Sequence, residues 1–118
     1  MNPVPRAVRG GTGVGADTRE AIAAATLALV RGILDRNGLS PADVTCLWFT
    51  VTPDLTADIP PLVLREHRLL DDVPALCAAE PAWDGAPHRT VRVMALVHVE
   101  PGHEVHHVYL DGTTRDRP

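Results

Sequence analysis

Thr90 to Val99, TVRVMALVHV, is the stretch on which the fold turns. Val91, Val93, Ala95 and Val97 recur at every second position, the period of a strand with one face in a core. Arg92 falls between them, on the face that carries Thr90, Met94 and Leu96, so its guanidinium emerges from a largely apolar surface. Unpaired in such a setting it would be costly, and an anionic partner is required. That partner is either a core Asp or Glu or a bound carboxylate.

Outward from this strand, Pro101-Gly102 makes a turn into a last strand expected from Val105 to Leu110. Upstream, ALCAA (75–79) reads as a short buried strand. VTCLWFTVT (44–52), β-branched and aromatic without chemical alternation, reads as a strand buried on both faces. Between these two, Pro60-Pro61 opens a second helix expected to run through Arg68. The longest regular segment is helix 18–36. Asp17 and Glu20 stand at capping-box spacing, Ile22, Ala25, Thr26, Leu29, Val30 and Ile33 form one apolar stripe, and Asn37-Gly38 is a left-handed stop. Ser40-Pro41 caps one further turn. VPRAVR (4–9) is the first strand, and the glycines of GGTGVGAD are expected to turn the chain sharply after it. One long helix, one shorter helix and about five strands predict an α+β fold with a mixed sheet. The 118 residues fit a single domain with a polar tail, about 112–118, expected to be mobile.

Composition narrows the chemistry. The chain has 15 acidic and 11 basic residues, and every basic one is arginine. Without lysine there is no Schiff base to a carbonyl and no P-loop lysine; what remains are guanidinium forks that grip carboxylates or phosphates in paired hydrogen bonds. A formal charge of −4 argues against general nucleic-acid or anionic-membrane binding. No apolar run approaches the ~20 residues of a membrane span, and the N-terminus lacks the apolar stretch of a signal peptide. Cys46 and Cys77 in apolar surroundings suit reduced thiols, with a disulfide between them as the lesser alternative, so a cytoplasmic protein is expected.

Several polar residues have two readings. Arg9 is a solvated strand-end charge or a cation reaching past the sheet edge to a ligand. Glu80 and Cys77 are a loop carboxylate and a core thiol, or neighbours in a site. Tyr109, the only tyrosine, packs in the core with its hydroxyl at the rim. Arg65 and Glu66 are most simply a solvated helix face. His98, His103, His106 and His107 could surround zinc, but their spacing matches no metal motif and none is assigned. GGTGVG lacks the register of a dinucleotide fingerprint.

AVRGGTGVGADTREAI, the TPDL of 52–55, the RE of 65–66, the CAAE of 77–80, the RVM of 92–94 and the HVYL of 107–110 together resemble one family. It is the small, trimeric, AroH-type chorismate mutase, and the likeness runs in one collinear order from about Arg6 to Pro118. The resemblance implies a trimeric pseudo-α/β barrel with active sites between subunits, a chorismate substrate, rearrangement to prephenate in aromatic amino acid biosynthesis, and no cofactor. It implies that Arg9 and Tyr109 hold a substrate carboxylate, that Arg92 contacts the ether oxygen of the breaking bond, and that Glu80 and Cys77 meet the ring hydroxyl side. Arg65 would stand at the rim, Arg117 in the tail, and Ile59, Ala75 and Leu76 along the pocket. Ile59 replaces the family's usual aromatic, Leu62 its lysine and Pro87 its leucine. An amino analogue of chorismate as substrate, or a trimeric dicarboxylate binder without turnover, remain open alternatives.

Overall fold

The computed structural model describes residues 2–113. Its elements are β1 (Val4–Gly13), α1 (Arg19–Arg36), a single 3-10 turn (Pro41–Asp43), β2 (Val44–Val51), α2 (Pro60–Glu66), β3 (Ala75–Ala79), β4 (Thr90–Val99) and β5 (Val108–Leu110). The strands form one mixed sheet in the order β3-β2-β4-β1-β5. β4 runs antiparallel to both neighbours, β1 and β2, while β3 and β5 add parallel strands at the two edges. The α+β expectation holds.

Both helices lie on one face, α1 across β1 and β5 and α2 against β3. Ile22, Leu29 and Val63 from the helices meet Val8, Phe49, Val91, Ala95 and Val97 from the strands, all almost fully buried. The alternation read in β4 is therefore literal: its odd-numbered residues are buried, and Arg92, Met94, Leu96 and His98 point to the helix-free face.

Local chemistry corrects several expectations. Thr18, rather than Asp17, caps α1, accepting the Ala21 N–H on Oγ1 at 3.1 Å. Asp17 instead accepts from Thr56 N, Thr56 Oγ1 and Ala57 N, holding the loop ahead of α2. α2 ends at Glu66, short of Arg68, because Arg68 and Leu70 both take left-handed φ angles of 52°. The glycines after Arg9 do not turn the chain; Gly10 to Gly13 continue β1. They serve close approach. A Cβ on Gly10 would lie 2.9 Å from Leu29 Cδ1 of α1, and one on Gly13 only 2.3 Å from the Asp111 carbonyl oxygen.

The last strand is shorter than expected because Asn37 intervenes. Its buried amide donates to His106 O at 2.9 Å and accepts from His106 N at 2.6 Å, so 103–107 is clamped to the end of α1 instead of joining the ladder. β2 is buried on one face only, with Trp48 46% exposed on the other. β3 is an edge strand rather than a buried one, and its Leu76 is 67% exposed. Both differences have one cause: among the described residues of a single chain nothing covers the second face of the sheet. Cys46 and Cys77 are free thiols. Thr113, at the start of the polar tail, bonds through Oγ1 to Gly11 O and Leu110 O; the rest of the tail, with Arg117, lies outside the described residues.

Candidate active site

The partner that Arg92 requires is Glu80. Arg92 Nε donates to Glu80 Oε1 at 2.6 Å, and Thr50 Oγ1 donates to the same oxygen at 2.5 Å. Thr50 stands directly opposite Arg92 in the β2–β4 register, which is how a strand between them joins the pair. The Glu80 side chain is 13% exposed and that of Arg92 32%, so the ion pair sits at a partly desolvated cleft wall where charge is weakly screened.

Two clefts meet at Arg92 and Tyr109, both of which line each of them. The larger, about 360 Å³, is floored by Arg9, Trp48, Thr50 and Met94 on the helix-free face. The smaller, about 200 Å³, lies between Glu80, the Trp83–Pro87 loop and Thr113. The register places Tyr109 beside Gly11 on β1, two residues from Arg9. The Tyr109 hydroxyl is buried and has no hydrogen-bond partner among the described residues. A buried phenol without a partner is costly in a finished core, and beside two guanidinium-bearing side chains it fits an anionic oxygen supplied by a ligand.

His107 supports this end of the site from behind. Its Nδ1 accepts the Arg9 N–H at 3.0 Å, continuing the β1–β5 contact through a side chain. Burial, and then the charge of Arg9, hold the His107 pKa below its usual value, which preserves the neutral acceptor. The other histidines are separately engaged. His98 pairs with Thr45 Oγ1 and His103 with the Asn37 carbonyl. Among the described residues no group of three His, Cys, Asp or Glu could hold a metal.

Arg9, Arg92, Glu80 and Tyr109 thus come together, while the remaining candidates among the described residues do not join them within one chain. Cys77 lies in register with Phe49 and packs against the core, with burial raising its thiol pKa. Arg65 and Ala75 share a separate cleft of about 250 Å³ beneath α2, on the β3 side of the sheet. Ile59, at the start of α2, and Leu76 are exposed. Leu76, Trp48 and Met94 are register neighbours across β3, β2 and β4, ending beside Arg9. They form an exposed apolar row leading from the second group of candidates to the first.

Sequence reading missed Thr50, Trp48 and Met94 as lining residues. Only the strand register identifies them, since each faces away from the core at the level of Arg92 or Arg9.

Comparison with known proteins agrees with this arrangement. The profile of the family "Chorismate mutase type I" matches residues 5–118. The chain is 40% identical to chorismate mutase AroH of Thermus thermophilus, over 96% of this chain and 93% of that protein. It is 35% identical to chorismate mutase AroH of Bacillus subtilis, over 96% of this chain and 90% of that one. A solved structure of a chorismate mutase from Clostridium thermocellum superposes with a TM-score of 0.84 at 32% identity, covering 91% of this chain and 96% of the other. Fold, length and collinear motifs agree in one conclusion: the chain belongs to the type I, AroH-like chorismate mutase family.

Proposed function

We propose that this chorismate mutase works at a site shared between two subunits of a homotrimer, with Arg92, Glu80, Arg9 and Tyr109 from one subunit and Cys77, Ile59, Arg65, Ala75 and Leu76 from its neighbour. As a member of the family the protein is an isomerase that converts chorismate to prephenate. The observation that carries the reading is the Arg92–Glu80 ion pair near a Tyr109 hydroxyl that is unpartnered among the described residues, where two clefts meet, one lined by Arg9 and the other by Glu80.

The rearrangement is unimolecular and needs no nucleophile, metal or proton shuttle. Two tasks remain: holding a compact, diaxial dicarboxylate, and stabilising the charge that develops on the ether oxygen as the C–O bond breaks. Arg9 and Tyr109 suit the first, through charge-assisted hydrogen bonds to a carboxylate. Arg92 suits the second. A guanidinium can give Nε–H to Glu80 and still direct a terminal N–H at the ether oxygen, so the ion pair fixes the donor before charge develops. Glu80, as an acceptor, suits the ring hydroxyl. Arg117 lies outside the described residues and would add a tail contact.

A trimer explains why the candidates divide into two groups. Trp48, Leu76 and Met94 are 46%, 67% and 38% exposed in one chain, an apolar row that association would cover. Two of the sheet's misjudged strands, β2 and β3, read in the sequence as more buried than one chain makes them, which supports the same reading. Among the described residues no helix is long and apolar enough to cross a membrane. A cytoplasmic location is part of this proposal.

Mixing tests the shared site directly. Arg92→Ala and Arg65→Ala are each expected to be impaired with chorismate, followed by ultraviolet absorbance. Trimers reassembled from an equal mixture should regain about a quarter of wild-type sites, because one interface in four combines two intact halves. Absence of recovery in mixed trimers would refute a site built from two subunits.

A further inference from the structure

We infer that Asp54, acting with Thr52, is a positioning residue for Arg92 and Glu80: the turn leaving β2 clamps both ends of the loop that carries the ion pair. The inference rests on the reading that Arg92 and Glu80 work in catalysis. It assigns a task to the TPDL stretch of 52–55, none of whose side chains lines the cleft floored by Arg9 and Met94.

Glu80 and Arg92 are joined by residues 81–91, a connection that leaves the edge strand β3 and re-enters the sheet centre at β4. Its two ends are held relative to each other by bonds from outside the connection. The end of β2 lies between them and holds both. At the near end, Glu80 N donates to Val51 O at 2.8 Å. At the far end, Thr52 N donates to Thr90 O at 3.1 Å, and Thr90 N donates to Thr52 Oγ1 at 2.9 Å. Thr52 and Thr90 are each 3% exposed, so water does not compete for these bonds.

Asp54 completes the clamp. Its carboxylate accepts Thr52 Oγ1–H at 2.5 Å, which orients that hydroxyl so that its oxygen faces Thr90 N. It also accepts the Arg89 N–H, at 3.1 Å to Oδ1 and 3.0 Å to Oδ2. Arg89 has a φ of 40°, a left-handed angle that a side-chain-bearing residue keeps only when its surroundings impose it. Here they do. The Arg89 carbonyl accepts from Val14 N at 2.7 Å, and its Nε donates to Val14 O at 3.0 Å. Three residues further along β4 stands Arg92. A shift of the Arg89 turn is transmitted along a rigid strand to the guanidinium, and from it to Glu80.

Burial works against the charge on Asp54, but the hydrogen bonds from Thr52 and Arg89 outweigh it and the carboxyl titrates below its usual value. The His88 imidazole, 3.7 Å away and largely exposed, is a peripheral contributor.

The test is a double-mutant cycle on the full trimer, with chorismate turnover and affinity for a bicyclic dicarboxylate ether that mimics the transition state as readouts. Asp54→Ala should lower kcat about ten- to a hundredfold, the cost of misplacing a catalytic group by about an ångström. Placed on Arg92→Ala, the same change should lower neither kcat nor mimic affinity further, because it acts through the missing guanidinium. Asp54→Asn, which keeps an acceptor for Arg89 N, should recover part of the loss. Should Asp54→Ala fail to fold, Thr52→Val, which frees Thr90 N, enters the same cycle with the same expectation. Full activity of the folded variants, or an equal fold-loss in both backgrounds, would overturn the inference. A normal Asp54→Ala beside an impaired Arg92→Ala sinks only the role of Asp54, whereas full turnover by Arg92→Ala sinks the site reading and this inference with it.

Discussion

Replacing Arg92 by alanine is the change for which the structure yields a magnitude. A unit cation about 3 Å from an oxygen that acquires roughly half a charge, at an effective dielectric near 20, stabilises the transition state by about 3 kcal/mol. That is roughly a hundredfold or slightly more in kcat, within the range found when one donor is removed from a preorganised oxyanion site. The binding of chorismate should weaken less, because Arg9 and Tyr109 still address the carboxylates. A second effect follows from the ion pair. Without Arg92 the Glu80 carboxylate, 13% exposed, keeps Thr50 Oγ1 as its side-chain donor among the described residues. Leaving it underpaired costs about 1–3 kcal/mol, towards the lower end because the Arg92 side chain was itself 32% exposed and solvent enters the vacated space. The assay is steady-state chorismate depletion, with the melting temperature measured on the same sample. Arg92→Lys separates charge from shape, since a point charge cannot bind Glu80 and the ether oxygen with one planar fork; it should recover only part of the rate. Turnover by Arg92→Ala within about threefold of wild type would show that the electrostatic argument is wrong.

Two further outcomes follow from the β1–β5 contact. His107 has a folded-state pKa depressed by burial and by Arg9, so between that value and the unfolded value near 6.5 the unfolded chain binds more protons. Its contribution to stability is full above about pH 6.5 and is lost as pH falls through the folded pKa, where protonated Nδ1 no longer accepts Arg9 N–H. His107→Asn, with an oxygen in place of Nδ1, should show a shallower loss of melting temperature on acidification; parallel curves for the two proteins would count against the role of His107. Gly13→Ala should destabilise the protein by about 1–3 kcal/mol, because its Cβ would meet the Asp111 carbonyl oxygen at 2.3 Å, and the displaced turn should carry Tyr109 with it and lower activity. Gly15→Ala, with no described residue within 4 Å of the new Cβ, is the control and should change little in a thermal melt.

Much of this was legible in the order of residues, and the limits of that reading follow from its local character. The period of two in Thr90–Val99 and the stripe from Ile22 to Ile33 are local facts, so they fixed the central strand, the long helix and the faces each would bury. The same alternation put Arg92 on an apolar face and demanded an anion for it, and the collinear motifs identified the family. What local pattern cannot hold is which distant groups meet. That Glu80 answers Arg92 depends on β3 lying beside β2 and on Thr50 standing opposite Arg92. That the Gly10–Gly13 run extends a strand, instead of turning, depends on its pairing with Thr90 to Val93 of β4, and glycine is needed at 10 and 13 because Leu29 and Asp111 approach where a Cβ would sit. That the final strand begins at Val108 depends on Asn37 claiming the backbone of His106. Composition and periodicity set what each segment prefers. Register and close approach, set by packing the whole chain at once, decided which of its arginines and carboxylates could act together.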